Sequence, residues 1–275
     1  MSDETAADGF DDALVDDLAA TAVALDGTDP AAPLDDLAPL RDVLADTTVV
    51  GMGEATHGTR ECFRFKHRLF RFLVEALDYR LFAIEANFSE TLALNDYVVD
   101  GEGDPRDGLA DIYFWTWDTQ EVLGLVEWMR EYNADRPRAE RLRFYGVDAQ
   151  FMVGPAAALR DYLADVDPGY LPTVADDLDV LAAEHFWTHG VEGEEATAVQ
   201  TKLDRAADLV ETLDARFDDE RARYVEASSC EELELARRHL RVLDQARETK
   251  QARLDDDEVA AYEARDGAMA ANVAW

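Results

Sequence analysis

A glutamate and a histidine lie three residues apart in residues 53–59, which read Gly-Glu-Ala-Thr-His-Gly-Thr. An apolar run precedes this segment, and a helix with clear hydrophobic periodicity is predicted after it. The pair is therefore expected where a buried strand turns into a helix, an edge at which α/β proteins gather ligands. An imidazole there can move a proton near neutral pH, and a carboxylate can orient its ring. His57 and Glu54 are thus candidates for acid–base catalysis.

Each of three predicted strands is followed by a carboxylate. The pairs are residues 47–52 with Glu54, residues 81–84 with Glu85, and residues 142–147 with Asp148. Because parallel strands end at the same edge of a sheet, we expect the three acids to line one edge beside His57. These acids follow apolar runs that should be buried, which distinguishes them from the many surface acids of the chain.

Two basic side chains of the following helix are candidate partners for the acids or for a developing oxyanion. Lys66 falls in the middle of the apolar stripe of a helix predicted over about 60–78. A buried ammonium needs an anionic partner, which the strand-edge acids could supply. Alternatively, Lys66 buries only its stem and keeps the ammonium in water. Lys66, Arg60 or backbone N–H groups at the start of this helix are candidate oxyanion donors.

The remaining histidines carry weaker signals. His67 is predicted on the polar face of the helix, and His239, among arginines, is predicted at the surface. His185 and His189 have a spacing that can hold a metal ion on a helix. Gly190, however, makes His189 a candidate helix end, where a cation is favoured in any case. We therefore assign no metal site.

An aromatic cluster, residues 113–118, precedes a helix predicted over about 119–133. Asp118 or Thr119 suits the N-cap of that helix. Most of the aromatic side chains are expected in the core. The alternative is that they line an apolar pocket for a bulky substrate.

The order of the predicted elements, strand, helix, strand, helices, strand, is typical of an α/β fold with a parallel sheet. We divide the chain into an acidic helical segment at residues 1–34, an α/β core with the site motifs at 35–153, and a helical region at 154–275. The helical region is expected to be an insertion whose following core strands are missing from the chain. More strands are then expected beyond Trp275.

The composition excludes several classes of partner. The net charge of −35 accompanies a hydrophobic content of 48%, which indicates a folded protein with an acidic shell. Such a shell repels itself unless high salt screens it, so we expect a high-salt, cytoplasmic location. Nucleic acid and anionic membranes are excluded as partners because both need basic patches. Neither a secretory signal nor a membrane-spanning run is found, and two cysteines make no disulfide framework.

These motifs together resemble the erythromycin esterase family. The resemblance covers the chain from about residue 35 to its last residue. Its motifs are residues 53–59, 65–69, 82–87, 117–119, 128–133 and 145–148, followed by Arg265, Met269, Ala270, Asn272 and Trp275.

The resemblance implies an α/β core with a large helical insertion and hydrolysis of a macrolide lactone without a metal or other cofactor. In such a family the motif histidine, here His57, is the general base that activates water. The motif glutamate, here Glu54, and the glutamate of the second strand, here Glu85, support it. The family also has a further histidine motif after the insertion. This chain ends before that motif, so we expect a truncated chain.

Two other functions stay open. One is a metal-dependent hydrolase, because Glu54, His57, Glu85 and Asp148 are all acceptable ligands for a divalent ion. The other is an inactive or truncated relative that only binds small molecules. In the preferred hypothesis the partner is a small-molecule ester or lactone, and no oligomeric state is assigned.

Overall fold

The structure is a computed structural model that describes residues 12–183, 185, 186, 188 and 190–275. The chain divides into two compact units, Met1–Arg80 and Leu81–Trp275. This division falls inside the predicted 35–153 segment, whose boundaries stay a prediction. Each unit has buried apolar side chains of its own.

The first unit is built on one long helix. Its helices are α1 (Asp12–Thr21), α2 (Leu40–Leu44) and α3 (Arg60–Leu77), with a 3₁₀ turn at Asp35–Leu37. Helix α3 confirms the helix predicted over 60–78, and it ends at Asp78, which adopts a left-handed conformation with φ of 64°. Leu37, Phe72 and Leu73 form the buried core of this unit.

Arg68 on α3 is fully buried, although arginine is a residue type found mostly at protein surfaces. Its guanidinium donates hydrogen bonds to Asp36 Oδ2 (2.8 Å) and to the carbonyl oxygens of Gly27 (3.0 Å) and Pro33. Hydrogen bonds from Arg68 and from the backbone of Asp26 lower the pKa of Asp36 to about 2. The ion pair therefore ties the segment before α2 to the middle of α3.

Residues 47–52 do not form the predicted first strand. Val49 is 70% exposed, whereas Val50 packs against the core of the first unit. A β-branched run forms a strand only where a neighbouring strand supplies hydrogen-bond partners. The described residues of the first unit contain no such strand. Glu54 therefore follows an irregular segment, and the prediction of a strand over residues 47–52 was wrong.

The second unit contains the sheet. Strands β1 (Leu81–Asn87) and β2 (Arg143–Asp148) pair in parallel, which confirms the order predicted for these two strands. The register runs from Leu81 opposite Arg143 and shifts near the end, where Asn87 lies opposite Asp148. The connecting helices are α4 (Leu92–Asp100), α5 (Pro105–Asp111) and α6 (Gln120–Asn133).

Gly146 allows the two strands to approach closely at their carboxyl ends. A Cβ atom at this position would lie 2.4 Å from the carbonyl oxygen of Ala86 and 2.5 Å from that of Asn87. Any larger residue would therefore push β1 and β2 apart. Helix α6 begins after Thr119, whose side chain accepts a hydrogen bond from the Val122 N–H at 3.3 Å, as an N-cap does.

Helices form the rest of the second unit. They are α7 (Val153–Val166), α8 (Ala175–Ala182), α9 (Gly193–Asp219), α10 (Arg221–Ala227), α11 (Cys230–Leu254) and α12 (Glu258–Ala274). The fold is thus α/β, with a parallel sheet and a large helical region, as the sequence predicts. Every helix in the described part of the chain is too short or too polar to cross a lipid bilayer.

Candidate functional site

Glu54 binds both His57 and Lys66 in the first unit. Its Oε1 lies 2.6 Å from His57 Nδ1, and its Oε2 accepts a hydrogen bond from Lys66 Nζ at 2.7 Å. The three side chains are hereafter the histidine cluster. Lys66 thus has the anionic partner that its place in the apolar stripe demands, and Glu54 is that partner.

Burial within the histidine cluster is uneven. The side chains of Glu54 and Lys66 are 9% and 16% exposed, whereas that of His57 is 57% exposed. Partial burial of Glu54 opposes its ionisation, but hydrogen bonds from Lys66 and His57 outweigh it and lower the pKa. Glu54 is therefore an anion at neutral pH, and it accepts a hydrogen bond from the Nδ1–H of His57. The lone pair of the imidazole then lies on Nε2.

A tight turn brings His57 back onto Glu54. Gly58 has a φ of 74°, a conformation that favours glycine, and Thr59 donates its hydroxyl to the Thr56 carbonyl oxygen at 3.2 Å. Lys66 comes from α3, where its ammonium also lies 5.6 Å from the centre of the Phe63 ring. Arg60 is the first residue of α3 and is exposed.

Arg265 binds two carboxylates in the second unit. Its Nη2 lies 2.7 Å from Glu85 Oε1 on β1 and 2.6 Å from Asp148 Oδ2 at the end of β2. Its Nε lies 3.2 Å from each oxygen of Asp148. These three side chains are hereafter the arginine cluster. The predicted convergence of Glu85 and Asp148 at one edge of the sheet is therefore present.

Asp148 is the buried centre of the arginine cluster. It is fully buried and also accepts hydrogen bonds from the Ala149 N–H (2.8 Å) and from Gln150 Nε2 (2.6 Å). Burial lowers the pKa of Arg265, but the hydrogen bonds to Asp148 and Glu85 outweigh it and raise the pKa overall. The side chain of Glu85 is 46% exposed, so it is the member of the cluster that faces solvent most.

A family model described as erythromycin esterase matches residues 74–275 of this chain, well over half of it. The chain belongs to the erythromycin esterase family. The matched span contains all three residues of the arginine cluster, whereas Glu54, His57 and Lys66 lie before it.

A curated relative carries the family's name, and two solved structures share the fold of this chain. The chain is 34% identical to "Erythromycin esterase type II" of Escherichia coli over 114 aligned residues. The aligned residues are 42% of this chain and 26% of the relative. A Bacillus cereus crystal structure is 26% identical with a TM-score of 0.79, over 97% of this chain and 63% of that one. The erythromycin esterase EreC, solved as a mutant in its open conformation, shares the fold at 18% identity. Its TM-score is 0.62, over 88% of this chain and 60% of that one.

The chain thus spans about a quarter of that curated relative and roughly three fifths of the two structures. The family's fold is shared over nearly the whole chain. The activity, substrate and partners of a complete family member come to this chain only as a proposal.

Arg265 was predicted only as one residue of the family resemblance and not as a site residue. It lies 117 residues after Asp148 and 180 after Glu85, so no local pattern links them. An arginine on a predicted helix is interpreted as a surface residue unless the fold is known.

Glu90, in the turn after β1, gave no signal in the sequence. Its Oε1 accepts the Gly154 N–H at 3.2 Å, and a Cβ on Gly154 would lie 2.5 Å from the Glu90 carboxyl carbon. Its Oε2 is buried without a hydrogen-bond partner in the described residues. Burial raises the pKa of Glu90 to about 7, and the charge of Asp148 adds to the rise. Glu90 therefore titrates near neutral pH beside the arginine cluster.

The aromatic segment 113–118 supports β1. Trp117 is buried and donates its indole N–H to the Glu85 carbonyl oxygen at 3.0 Å, which confirms a core position for this residue. Trp115 is 74% exposed, Tyr113 is 49% exposed and Phe114 is half-buried, so the expectation that most of these aromatic side chains lie in the core was wrong. Tyr113 has a φ of 61° and packs edge-on against His185, with ring centres 4.2 Å apart.

Two histidines predicted at the surface are buried. His67 is 7% exposed on α3, and His239 is 5% exposed on α11. His239 bonds through Nδ1 to Ser89 Oγ at 2.8 Å, a residue 150 positions away that no helix pattern can reveal. His189, the second histidine of the weak metal pattern, lies outside the described residues. In the described part of the chain, no group of three or more His, Cys, Asp or Glu side chains is placed to hold a metal ion.

Proposed function

We propose that this chain is a hydrolase that cleaves a carboxylic ester or macrolactone, with His57 as the general base. The observation that carries the proposal is the contact of 2.6 Å between His57 Nδ1 and Glu54. A buried carboxylate on one ring nitrogen is the arrangement that prepares the other nitrogen to accept a proton. Family membership supports the reaction class.

The proposed reaction has two proton transfers. His57 Nε2 takes a proton from water as the water oxygen attacks the ester carbonyl carbon, which gives a tetrahedral intermediate with an oxyanion. The bond to the leaving alkoxide then breaks, and His57 returns the proton to it. The products are a carboxylic acid and an alcohol, or one hydroxy acid from a lactone. Glu54 stabilises the imidazolium formed between the two steps.

The remaining site residues receive supporting roles. Lys66 holds Glu54 ionised and in position. Lys66 and Arg60 are also the candidate cations for stabilising the oxyanion. Glu85 is assigned a role in the reaction on the family pattern. In the structure it is held by Arg265, which Asp148 anchors.

The test replaces His57 by alanine in the purified chain at molar salt, where the acidic shell is screened. A panel of simple esters and lactones, with a macrolide among them, is assayed. We expect turnover to fall by about 10²- to 10⁴-fold, which is the rate enhancement that a general base typically provides. Glu61→Gln, an exposed acid in the first turn of α3, is the control and should keep full activity.

Unchanged turnover in His57→Ala would refute the proposal. Activity that disappears with a chelator and returns with a divalent ion would instead support the metal-dependent alternative. Circular dichroism of both variants shows whether a loss of activity reflects the site or the fold.

A further inference from the structure

A cleft of about 390 Å³ lies among α7, α10 and α11 in the helical region. The polar side chains of its lining are Tyr162, Asp165, Ser228, Glu232 and His239, and the rest are small or aliphatic. None of these residues belongs to the histidine cluster or the arginine cluster. The cleft is large enough for a ligand of metabolite size.

His239 is the buried polar group of this cleft. It is 5% exposed, packs edge-on against Phe88, and bonds through Nδ1 to Ser89 Oγ at 2.8 Å. Burial lowers the pKa of His239 to about 4, so the ring is neutral at pH 7. Because Nδ1 is taken by Ser89, Nε2 is the nitrogen that remains for a ligand. A neutral imidazole nitrogen pairs with a hydroxyl or an amide.

The charges of the lining favour a cation. Asp165 and Glu232 carry carboxylates, and the lining contains neither lysine nor arginine. Arg237 lies close enough for its charge to act on Tyr162, but it pairs with Asp218 at 2.6 Å. An anion would therefore meet net repulsion in the cleft.

The remaining polar surface suits an alkylammonium group with a hydroxyl. The Tyr162 ring is part of the lining, and aromatic rings attract cations. Its hydroxyl lies 3.5 Å from Ser228 Oγ. Carboxylates alone are common on a chain of net charge −35. What distinguishes this cleft is their combination with an aromatic ring and a buried neutral imidazole in one concave site.

We propose that this cleft binds a small organic cation that carries a hydroxyl group. The ammonium lies against Tyr162 between Asp165 and Glu232, and the hydroxyl pairs with His239. The site is independent of the proposed hydrolysis, because it uses other residues and a ligand of other chemistry.

The test compares two ligands of nearly the same shape. Choline carries a quaternary ammonium and a hydroxyl, whereas 3,3-dimethylbutan-1-ol has the same skeleton without the charge. Their dissociation constants for the purified chain are measured by ligand-observed NMR at one fixed high concentration of KCl. We expect choline to bind about fivefold more tightly, which is the gain that a cation–π contact at a partly exposed site provides. Equal affinity, or no binding of choline, overturns the proposal.

A matched pair of variants locates the binding. Glu232→Gln removes one carboxylate of the cleft, and Glu234→Gln removes a carboxylate of the same helix turn that does not line it. We expect Glu232→Gln to weaken choline by about threefold without changing the affinity of the neutral alcohol. Glu234→Gln should change neither. Equal weakening by both variants would show general attraction to an acidic surface and would overturn the site.

Discussion

The histidine cluster joins one carboxylate to a cation and the arginine cluster joins two, and the clusters also differ in sequence range and in burial. Glu54, His57 and Lys66 lie within 13 consecutive residues, and the imidazole is 57% exposed. Glu85 and Arg265 lie 180 positions apart in the sequence, with Asp148 between them, and Asp148 is fully buried. The first cluster thus joins an exposed imidazole to a largely buried carboxylate, as the proposed proton transfer requires. The second is arranged to join β1, β2 and α12.

The largest expected effect is on stability, in the arginine cluster. Arg265→Met leaves the fully buried Asp148 without its cation, which should lower the free energy of unfolding by about 3 kcal/mol or more. Arg160→Met is the control, because Arg160 pairs with Asp179 at an exposed site and should cost at most about 1 kcal/mol. Urea unfolding measures both. Equal losses would contradict the contrast between a buried and an exposed pair.

The next effect is on activity, in the histidine cluster. Glu54→Gln removes the anion that fixes the His57 ring, so kcat/KM should fall by about 10²-fold while the fold is kept. Esterase assays and urea unfolding of the same preparations measure the two properties. A loss of stability like that of Arg265→Met, with normal activity in the folded fraction, would mean that the first cluster is structural.

Glu90 gives the arginine cluster a pH dependence. Its folded-state pKa of about 7 lies above the ordinary glutamate pKa of 4.5, so its contribution to stability is present below pH 4.5 and lost as the pH rises through 7. Glu90→Gln should therefore become more stable than the parent as the pH rises, by about 1–3 kcal/mol at pH 8.5. Unfolding curves at pH 5, 7 and 8.5 measure this. A pH-independent difference would mean that Glu90 is an ordinary ionised carboxylate.

Lys66→Met should have the smallest effect and should sharpen the role of Glu54. Without its ammonium the pKa of Glu54 rises, so the acidic limb of the pH–rate profile should move to higher pH. At pH 7 the loss of kcat should stay within about tenfold. Lys66→Arg keeps the charge and should restore the parent profile. An unshifted limb in Lys66→Met would show that Lys66 does not control Glu54.

Local patterns in the sequence predicted local structure well. Hydrophobic periodicity located α3 and α6 to within a residue or two, and the apolar runs at β1 and β2 gave two parallel strands. The spacing of Glu54 and His57 predicted their contact, because two side chains three residues apart are brought together by a single turn. For Lys66 the pattern left two possibilities, a charge partner or a solvated ammonium, and the structure shows the first, with Glu54 as the partner.

Long-range partners could not be predicted. Residues 47–52 have strand composition, but composition does not supply a neighbouring strand. Arg68 and His239 look like surface residues on a helix, and their burial depends on Asp36 and Ser89, which lie 32 and 150 residues away. The role of Arg265 depends in the same way on two distant acids. Polar side chains become core residues only where the fold brings them a partner.

The central claim is that Glu54 holds the His57 ring with its proton on Nδ1 and its lone pair on Nε2. Two-bond ¹H–¹⁵N correlation NMR of the histidine side chains at pH 8, with His57→Ala for assignment, tests it most directly. We expect a protonated Nδ1 and an unprotonated Nε2 for His57 in the parent chain, and loss of this preference in Glu54→Gln. A proton on Nε2 in the parent, or the same pattern in both proteins, would contradict it.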